Sequence, residues 1–344
     1  MTVLHVREQG ATVRRDGERI RVTAPEKETR KARVVTQTPV REIEQVIVYG
    51  NVQVTTQAVA LLLQHEVDLV FLSLFGSFRG RAARSGSKFA RLRHAQLRLS
   101  GAERTALPVA KAIVRAKLAN QRNTLTAMGT EPDLSPQTAR ALAAATRAID
   151  AMRRKCARAR STDSLRGFEG NAGRAYFGAL RTLLAPAWMF EGRKYYPPPD
   201  PFNALLSFGY ALLQKDCTAT LHLVGLDPFL GCFHAMEDGR PSLTLDMMEE
   251  FRPLAVDRVM LTLAHTGRIT PDAFTYTNRP DRPVELGSDL IPLVIAAYEE
   301  QMSRTILHKP SGRKETLRRA LELQARIFAR VVTGERRTHE GLEA

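Results

Sequence analysis

The spacing of apolar residues changes once along this chain, and that change limits the folds open to it. Up to about residue 72, β-branched residues alternate with polar ones at period 2, whereas from about residue 90 apolar residues recur at the helical period of 3.6. Residues 2–7 alternate, and 11–23 read as a hairpin around Asp16-Gly17, a pair suited to the positive φ of a tight turn. Residues 32–36, 43–48 and 52–54 add short strands broken at Pro39 and Gly50-Asn51. Residues 56–64 carry a helical Val59/Leu62/Leu63 face before a buried strand at 67–72. Helices are predicted at 91–99, 106–123, 136–152, 171–184, 203–214, 245–265, 290–307 and 315–332, with Pro253 and Pro292 marking kinks or first turns. A single core tends to stop growing beyond roughly 250–300 residues, so 344 residues imply two domains. The expected fold is α+β: a small N-terminal sandwich-like β-sheet domain over 1–80, a basic linker over 81–98 marked by Gly80, Ser85 and Gly86, and a larger, mostly α-helical domain over 99–344.

The charge is as uneven as the periodicity. The formal net charge is +15, yet residues 1–75 hold 10 basic and 9 acidic side chains and residues 167–344 hold 21 and 22. Residues 76–166 hold 20 and 5, so the whole excess lies in one central segment. Its densest runs are 79–98, with seven Lys or Arg and no acid, and 153–160. Concentrated positive charge of this kind is the footprint of a polyanion-binding surface, because each cation placed near a phosphate releases condensed counterions. Arg79, Arg81, Arg84, Lys88, Arg91 and Arg93 are the expected DNA-binding residues.

Other classes are excluded. At 44% apolar and 25% charged the chain is not of disordered composition. The most apolar stretch, 59–75, is broken by Gln64, His65, Glu66 and Asp68 and is shorter than the ~20 residues of a spanning helix, so no membrane helix is expected. Met1 opens into strand-like sequence without a basic and apolar leader, which implies no secretory signal and a cytoplasmic protein. Cys156, Cys217 and Cys232 form no C-x-x-C pair, so neither a disulfide framework nor a zinc knuckle is expected. Phosphate-binding loops, dinucleotide fingerprints, nucleophile elbows and H-E-x-x-H are absent.

Three segments place hard ligands in apolar surroundings. Glu169 lies among glycines in Arg166-Gly167-Phe168-Glu169-Gly170, read as the start of a helix whose positive end the carboxylate would face. His234 ends the apolar, turn-rich run that begins at Gly225. Asp246, Glu249 and Glu250 stand at i, i+3 and i+4 of one helix, within about 100° of one another. Each alone is an ordinary cap or core feature. Combined, one imidazole and two or three carboxylates make a mixed site suited to Mg²⁺ or Mn²⁺, while Cys232 in its apolar run reads as a packing thiol. Such an ion beside a basic surface suits phosphodiester chemistry.

At these residues the sequence resembles the CRISPR-associated Cas-one family, the integrases and metal-dependent DNA endonucleases of spacer acquisition. Segments 42–53, 166–173, Asp200-Pro201-Phe202-Asn203 through Tyr210, Gly225-Leu226-Asp227-Pro228 through His234, and Asp246-Met247-Met248-Glu249-Glu250-Phe251-Arg252 match in order and spacing. The resemblance implies catalytic residues at Glu169, His234 and Glu249, which would also hold the metal, with Asp246 as a second contributor one turn earlier. It implies a homodimer through the N-terminal domains, two of which clamp a dimer of a small second CRISPR-associated protein. The substrates would be a prespacer duplex and the CRISPR repeat, with His234 assisting proton movement. Tyr176 and Asn203 are supporting candidates, and Arg193 a phosphate-contact candidate. Two other readings share the basic surface: a non-catalytic nucleic-acid scaffold, and a branched-DNA nuclease acting in repair.

Overall fold

The strands and helix of the first unit are β1 (Thr2–Val6), β2 (Thr12–Asp16), β3 (Arg19–Pro25), β4 (Ala32–Pro39), β5 (Ile43–Tyr49), β6 (Gln53–Val54), α1 (Thr56–Gln64), β7 (Asp68–Leu72) and β8 (Phe78–Ala82) among the described residues. The computed structural model describes residues 2–25, 32–72, 78–82, 89–130, 134–194, 197–280, 283–287 and 290–344. One four-stranded sheet runs β1-β5-β7-β8 and the other β4-β3-β2-β6. In the first, β1, β5 and β7 are parallel and β8 closes the edge antiparallel to β7. Val46, Ile47 and Val48 are buried in succession on β5, as a parallel strand covered on both faces requires. In the second sheet β3 alternates, with Ile20, Val22 and Ala24 buried, and these join Val46, Leu61 and Leu69 in one core. Thr55 caps α1 by accepting from the Ala58 N–H. At the β2–β3 turn only Gly17 takes a positive φ, of 60°; Asp16 closes the strand, paired with Arg19.

The second unit contains α2 (Ala90–Ser100), α3 (Glu103–Met128), α4 (Pro136–Ala157), α5 (Thr162–Arg181), α6 (Pro201–Val224), α7 (Ser242–Phe251), α8 (Arg258–His265), α9 (Ile291–Ser303) and α10 (Leu317–Val332). Two short hairpins, β9 (Phe274–Tyr276) with β10 (Val284–Leu286) and β11 (Thr305–His308) with β12 (Arg313–Thr316), punctuate its C-terminal half. Asp200 caps α6 and Gly225, at φ 89°, ends it. α7 and α8 are joined by a π-helical turn, Arg252–Asp257. Pro253 lacks the N–H that the α-helical ladder needs there, so the sequence-predicted kink becomes a local widening rather than a break.

The division between units falls at residue 90. This alters the expected boundary at 80 and the linker over 81–98, where Arg81 and Ala82 belong to β8 and 90–98 are helical. The helix expected at 91–99 is present as the amphipathic α2, with Leu92, Gln96 and Ser100 buried and Arg91, Arg93 and Arg98 exposed. No helix among the described residues is long and apolar enough to cross a membrane.

Candidate active site

Three elements of the second unit deliver the predicted residues. Glu169 lies in the middle of α5, not at its start. The helix begins at Ser161, whose side chain accepts from the Ser164 N–H while Ser164 returns the bond to the Ser161 N–H. Leu165, Ala172 and Tyr176 then carry a buried face through the glycine-rich stretch. The expected interaction of Glu169 with the helix dipole is therefore corrected, since that effect is confined to the first turn.

His234 ends a loop held on both sides. From α2, Gln96 Nε2 donates to the Asp227 carbonyl at 2.8 Å and to the Leu230 carbonyl at 3.1 Å, and its Oε1 accepts from the Asp227 N–H at 2.9 Å. From α7, Asp246 accepts through Oδ2 from the N–H groups of Cys232 at 2.5 Å and Phe233 at 2.9 Å, and through Oδ1 from the His234 N–H at 2.9 Å. Close approach requires Gly231, because a Cβ there would lie 2.7 Å from the Ser242 carbonyl carbon and 2.9 Å from Asp246 Oδ2. Asp246 Oδ1 also lies 2.7 Å from His234 Nδ1. A carboxylate already receiving three N–H groups assigns the ring proton to Nδ1, which leaves Nε2 as the free donor atom, 3.7 Å from Glu249 Oε1. Asp246, predicted as a metal ligand, is thus a fully buried residue with both oxygens occupied, and it orients His234.

Glu249 is buried on α7, one turn beyond Asp246, while Glu250 turns away to pair with His339 at 2.8 Å and to accept from Gln324 and the Leu342 N–H. Two cations meet Glu249. Arg252 Nη1 is 3.2 Å from Oε1, and Lys117 Nζ on α3 is 2.5 Å from Oε2. The same ammonium is 2.5 Å from Glu169 Oε1, so Lys117 joins α5 to α7 through their glutamates. Burial pushes the Glu249 carboxyl upward, but Arg252, then Lys117 and His234, outweigh it and bring its pKa down to about 2.

Behind this group, the Tyr210 hydroxyl donates to Asp257 Oδ1 at 2.5 Å, and the Arg252 and Arg193 guanidinium groups lie over the Tyr210 ring at 5.2 and 5.1 Å. Burial lifts the Asp257 carboxyl to about 6.

The other expectations fare unevenly. Arg193, predicted to touch phosphate, is drawn into the fold: Nη1 donates to Asn203 Oδ1 at 2.9 Å and Nη2 to Ser207 Oγ at 3.1 Å. Asn203 accepts also from the Lys194 N–H and donates to the Gly192 carbonyl and Asp200 Oδ2, stapling the 192–194 segment onto the start of α6. The Tyr176 phenol is buried and pushed well above its usual pKa, first by burial and then by Asp257. Arg91 and Arg93 are exposed on α2, Arg79 is exposed on β8, and Arg81 lies over the Phe89 ring at 4.7 Å. Arg84 and Lys88 lie outside the described residues.

Two residues of this cluster are not among the expected site residues. Lys117 was counted only within the basic segment, yet it falls in the apolar stripe of Ile113, Val114 and Leu118, where a charged side chain needs a buried partner. Arg252 follows Glu249 by three residues, an ordinary helical pair until the burial of both is known.

The donor set fits a hard divalent ion: His234 Nε2 is free of Asp246, and Glu249 Oε2 is buried with the Lys117 ammonium as its neighbour. Among the described residues, however, no three His, Cys, Asp or Glu side chains already form a group that could hold a metal. The Lys117 ammonium stands between the two glutamates. The cysteines offer no alternative, since all three are buried and their thiols are pushed upward by burial first.

This two-unit α+β chain has counterparts among CRISPR-associated proteins and a casposase. The profile described as CRISPR associated protein Cas1 matches residues 4–300. An exonuclease Cas4/endonuclease Cas1 fusion of Rhodospirillum rubrum is 34% identical over 307 residues, 86% of this chain and 50% of that protein, so the chain spans half the fusion's length. A CRISPR-associated endonuclease Cas1 of Moorella thermoacetica is 33% identical over 308 residues, 87% of each chain. Among solved structures, a casposase bound to integration product aligns with a TM-score of 0.81 at 20% identity, covering 100% of this chain and 99% of that one. A partial Cas6-RT-Cas1–Cas2 complex aligns at 0.76 and 22% identity, covering 99% and 98%. This chain belongs to the Cas1 family.

Proposed function

We propose that this Cas1 protein is a metal-dependent DNA integrase and endonuclease that joins short prespacer duplexes to a CRISPR repeat. The observation that carries the reading is a chain of short contacts: His234 Nε2 lies 3.7 Å from Glu249 Oε1, and Glu249 and Glu169, 80 positions apart, share the Lys117 ammonium. Glu169, His234 through Nε2, and Glu249 would hold Mg²⁺ or Mn²⁺. When bound, such an ion polarises a phosphoryl oxygen and neutralises charge that develops on the leaving oxygen.

The chain's own residues supply the rest. Asp246 fixes the orientation of His234 through Nδ1 and so directs Nε2 toward Glu249. Arg252 keeps Glu249 ionised inside the protein. Gly167 and Gly170 flank Glu169 on the exposed side of α5, and an added Cβ at either would meet nothing within 4 Å. A glycine inside a helix costs about 1 kcal/mol relative to alanine. No internal packing explains this cost, which fits close approach of a DNA backbone to Glu169.

Arg91 and Arg93 on α2, with Arg79 and Arg81 on β8, are assigned to phosphates, which position DNA without reading its sequence. The first unit is assigned to homodimer formation and to a Cas2-like partner; a Cas1–Cas2 complex stands among the related folds.

The test is strand transfer of a labelled prespacer into a repeat-bearing plasmid. Glu169→Ala and His234→Ala are expected to lower the Mn²⁺-supported rate at least a hundredfold while DNA retention in gel shift stays near wild type. Full transfer by either variant, or by wild type in EDTA, overturns the reading.

A further inference from the structure

We propose that Lys117 is a resident counter-cation that keeps the place between Glu169 and Glu249 and must leave it when a divalent ion loads. The inference rests on the reading that these two glutamates are metal ligands.

Two glutamates brought side by side from α5 and α7 would repel one another, Glu249 the more so because it is almost wholly buried. The Lys117 ammonium answers both at once, 2.5 Å from Glu169 Oε1 and 2.5 Å from Glu249 Oε2, and is itself only 6% exposed. These are the carboxylates that a divalent ion would use. A dication coordinated there and an ammonium at hydrogen-bond distance from the same oxygens would repel one another strongly.

The two cations of the site differ in kind. Arg252 grips the other Glu249 oxygen, Oε1, at 3.2 Å, and its guanidinium is held over the Tyr210 ring. Lys117 is a compact charge on a flexible four-carbon stem, with no planar fork to fix it. Of the pair, the lysine is the one that can swing aside. On this basis Arg252 stays as the permanent partner of Glu249, and Lys117 is exchanged for the metal. The lysine has two consequences: it keeps the helices together when no ion is bound, and it sets a threshold that an incoming ion must exceed.

The test compares the full chain with Lys117→Met, Lys117→Gln, Glu169→Gln and the double variant Lys117→Gln/Glu169→Gln. Mn²⁺ affinity is read by the loss of the free-ion electron paramagnetic resonance signal, and thermal unfolding is measured in EDTA and in saturating Mn²⁺. Lys117→Met and Lys117→Gln are expected to bind Mn²⁺ at least tenfold more tightly than wild type. Both should also unfold at lower temperature in EDTA and regain most of the difference in Mn²⁺. Glutamine can still donate to both carboxylates, so it carries the test should the methionine variant fail to fold.

Equal or weaker Mn²⁺ affinity in Lys117→Gln, with binding still lost on Glu169→Gln, overturns the lysine proposal and leaves the metal site standing. Binding that is indifferent to Glu169→Gln in both backgrounds, or absent from wild type and Lys117→Gln alike, overturns the site itself.

Discussion

Asp246 holds His234 twice, accepting from its backbone N–H at 2.9 Å and from its ring Nδ1 at 2.7 Å. Main chain and imidazole are fixed by one oxygen, so the direction of Nε2 is set by the fold and not by whatever binds beside it.

Replacing Asp246 with asparagine tests that assignment. The new amide must turn its NH₂ toward backbone N–H groups of Cys232 and Phe233 or toward those of His234, leaving buried donors unpaired. Asp246→Asn is expected to lower stability in EDTA by about 3 kcal/mol, read by urea unfolding, as well as to depress strand transfer. An unchanged unfolding midpoint together with lost Mn²⁺ affinity would make Asp246 a ligand after all.

Gly231→Ala probes the same contact from the loop side. The added methyl meets backbone and side chain of Ser242 as well as an Asp246 oxygen, none of which is a flexible chain end. A loss of about 1–3 kcal/mol is expected from such overpacking, with strand transfer falling further than DNA binding. Wild-type activity and stability would show that the loop and α7 are less closely apposed than described.

Asp257 gives a pH signature. Its carboxyl is raised from 3.8 to about 6 by burial, so the folded state holds its proton more tightly than the unfolded chain. Below pH 4 the group is protonated in both states and costs nothing. The cost of ionising it inside the protein grows between about pH 4 and 6 and is complete above that. Asp257→Asn, which keeps an oxygen to accept from Tyr210, should match wild type near pH 4 and exceed it by about 3 kcal/mol at pH 8. A variant less stable than wild type at pH 8 contradicts the assignment.

Arg91 and Arg93 are exposed on α2 and lie outside the buried cluster. Reversing both to glutamate should weaken DNA binding at 0.1 M salt at least tenfold, irrespective of base sequence, and reduce the slope of log affinity against log salt by about 2. Unchanged affinity at that salt places the DNA elsewhere on the protein.

Much of the fold was legible because local rules dominate there. Helix α1 runs from Thr56 to Gln64 as its apolar spacing and the Thr55 cap require, and the Gly17 turn joins strands of the expected alternation. The start of α5 was not legible. Gly167, Gly170 and Gly173 weaken local helix propensity, and the Ser161–Ser164 cap that sustains the helix lies eight residues before Glu169. The linker expected over 81–98 overlaps the helix expected at 91–99, and that helix is present as α2, with Leu92, Gln96 and Ser100 as its buried stripe.

At the site, residue types revealed the chemistry but not the division of labour. Asp246 and Glu249 both stand on one face of α7, and only the path of the Gly231–His234 loop decides that the first is consumed by hydrogen bonds and the second faces a cation. Lys117 is 52 residues from Glu169 and on another helix, so no local pattern could pair them.

The most direct measurement is a crystal of the full protein soaked in Mn²⁺, with data collected at a wavelength where manganese scatters anomalously. The expected result is one strong anomalous peak within coordination distance of Glu169, His234 Nε2 and Glu249, with the Lys117 ammonium moved out of its present position. A fully soaked crystal with no peak there, or with manganese bound only at other carboxylates, would contradict the metal-dependent site on which the proposed activity rests.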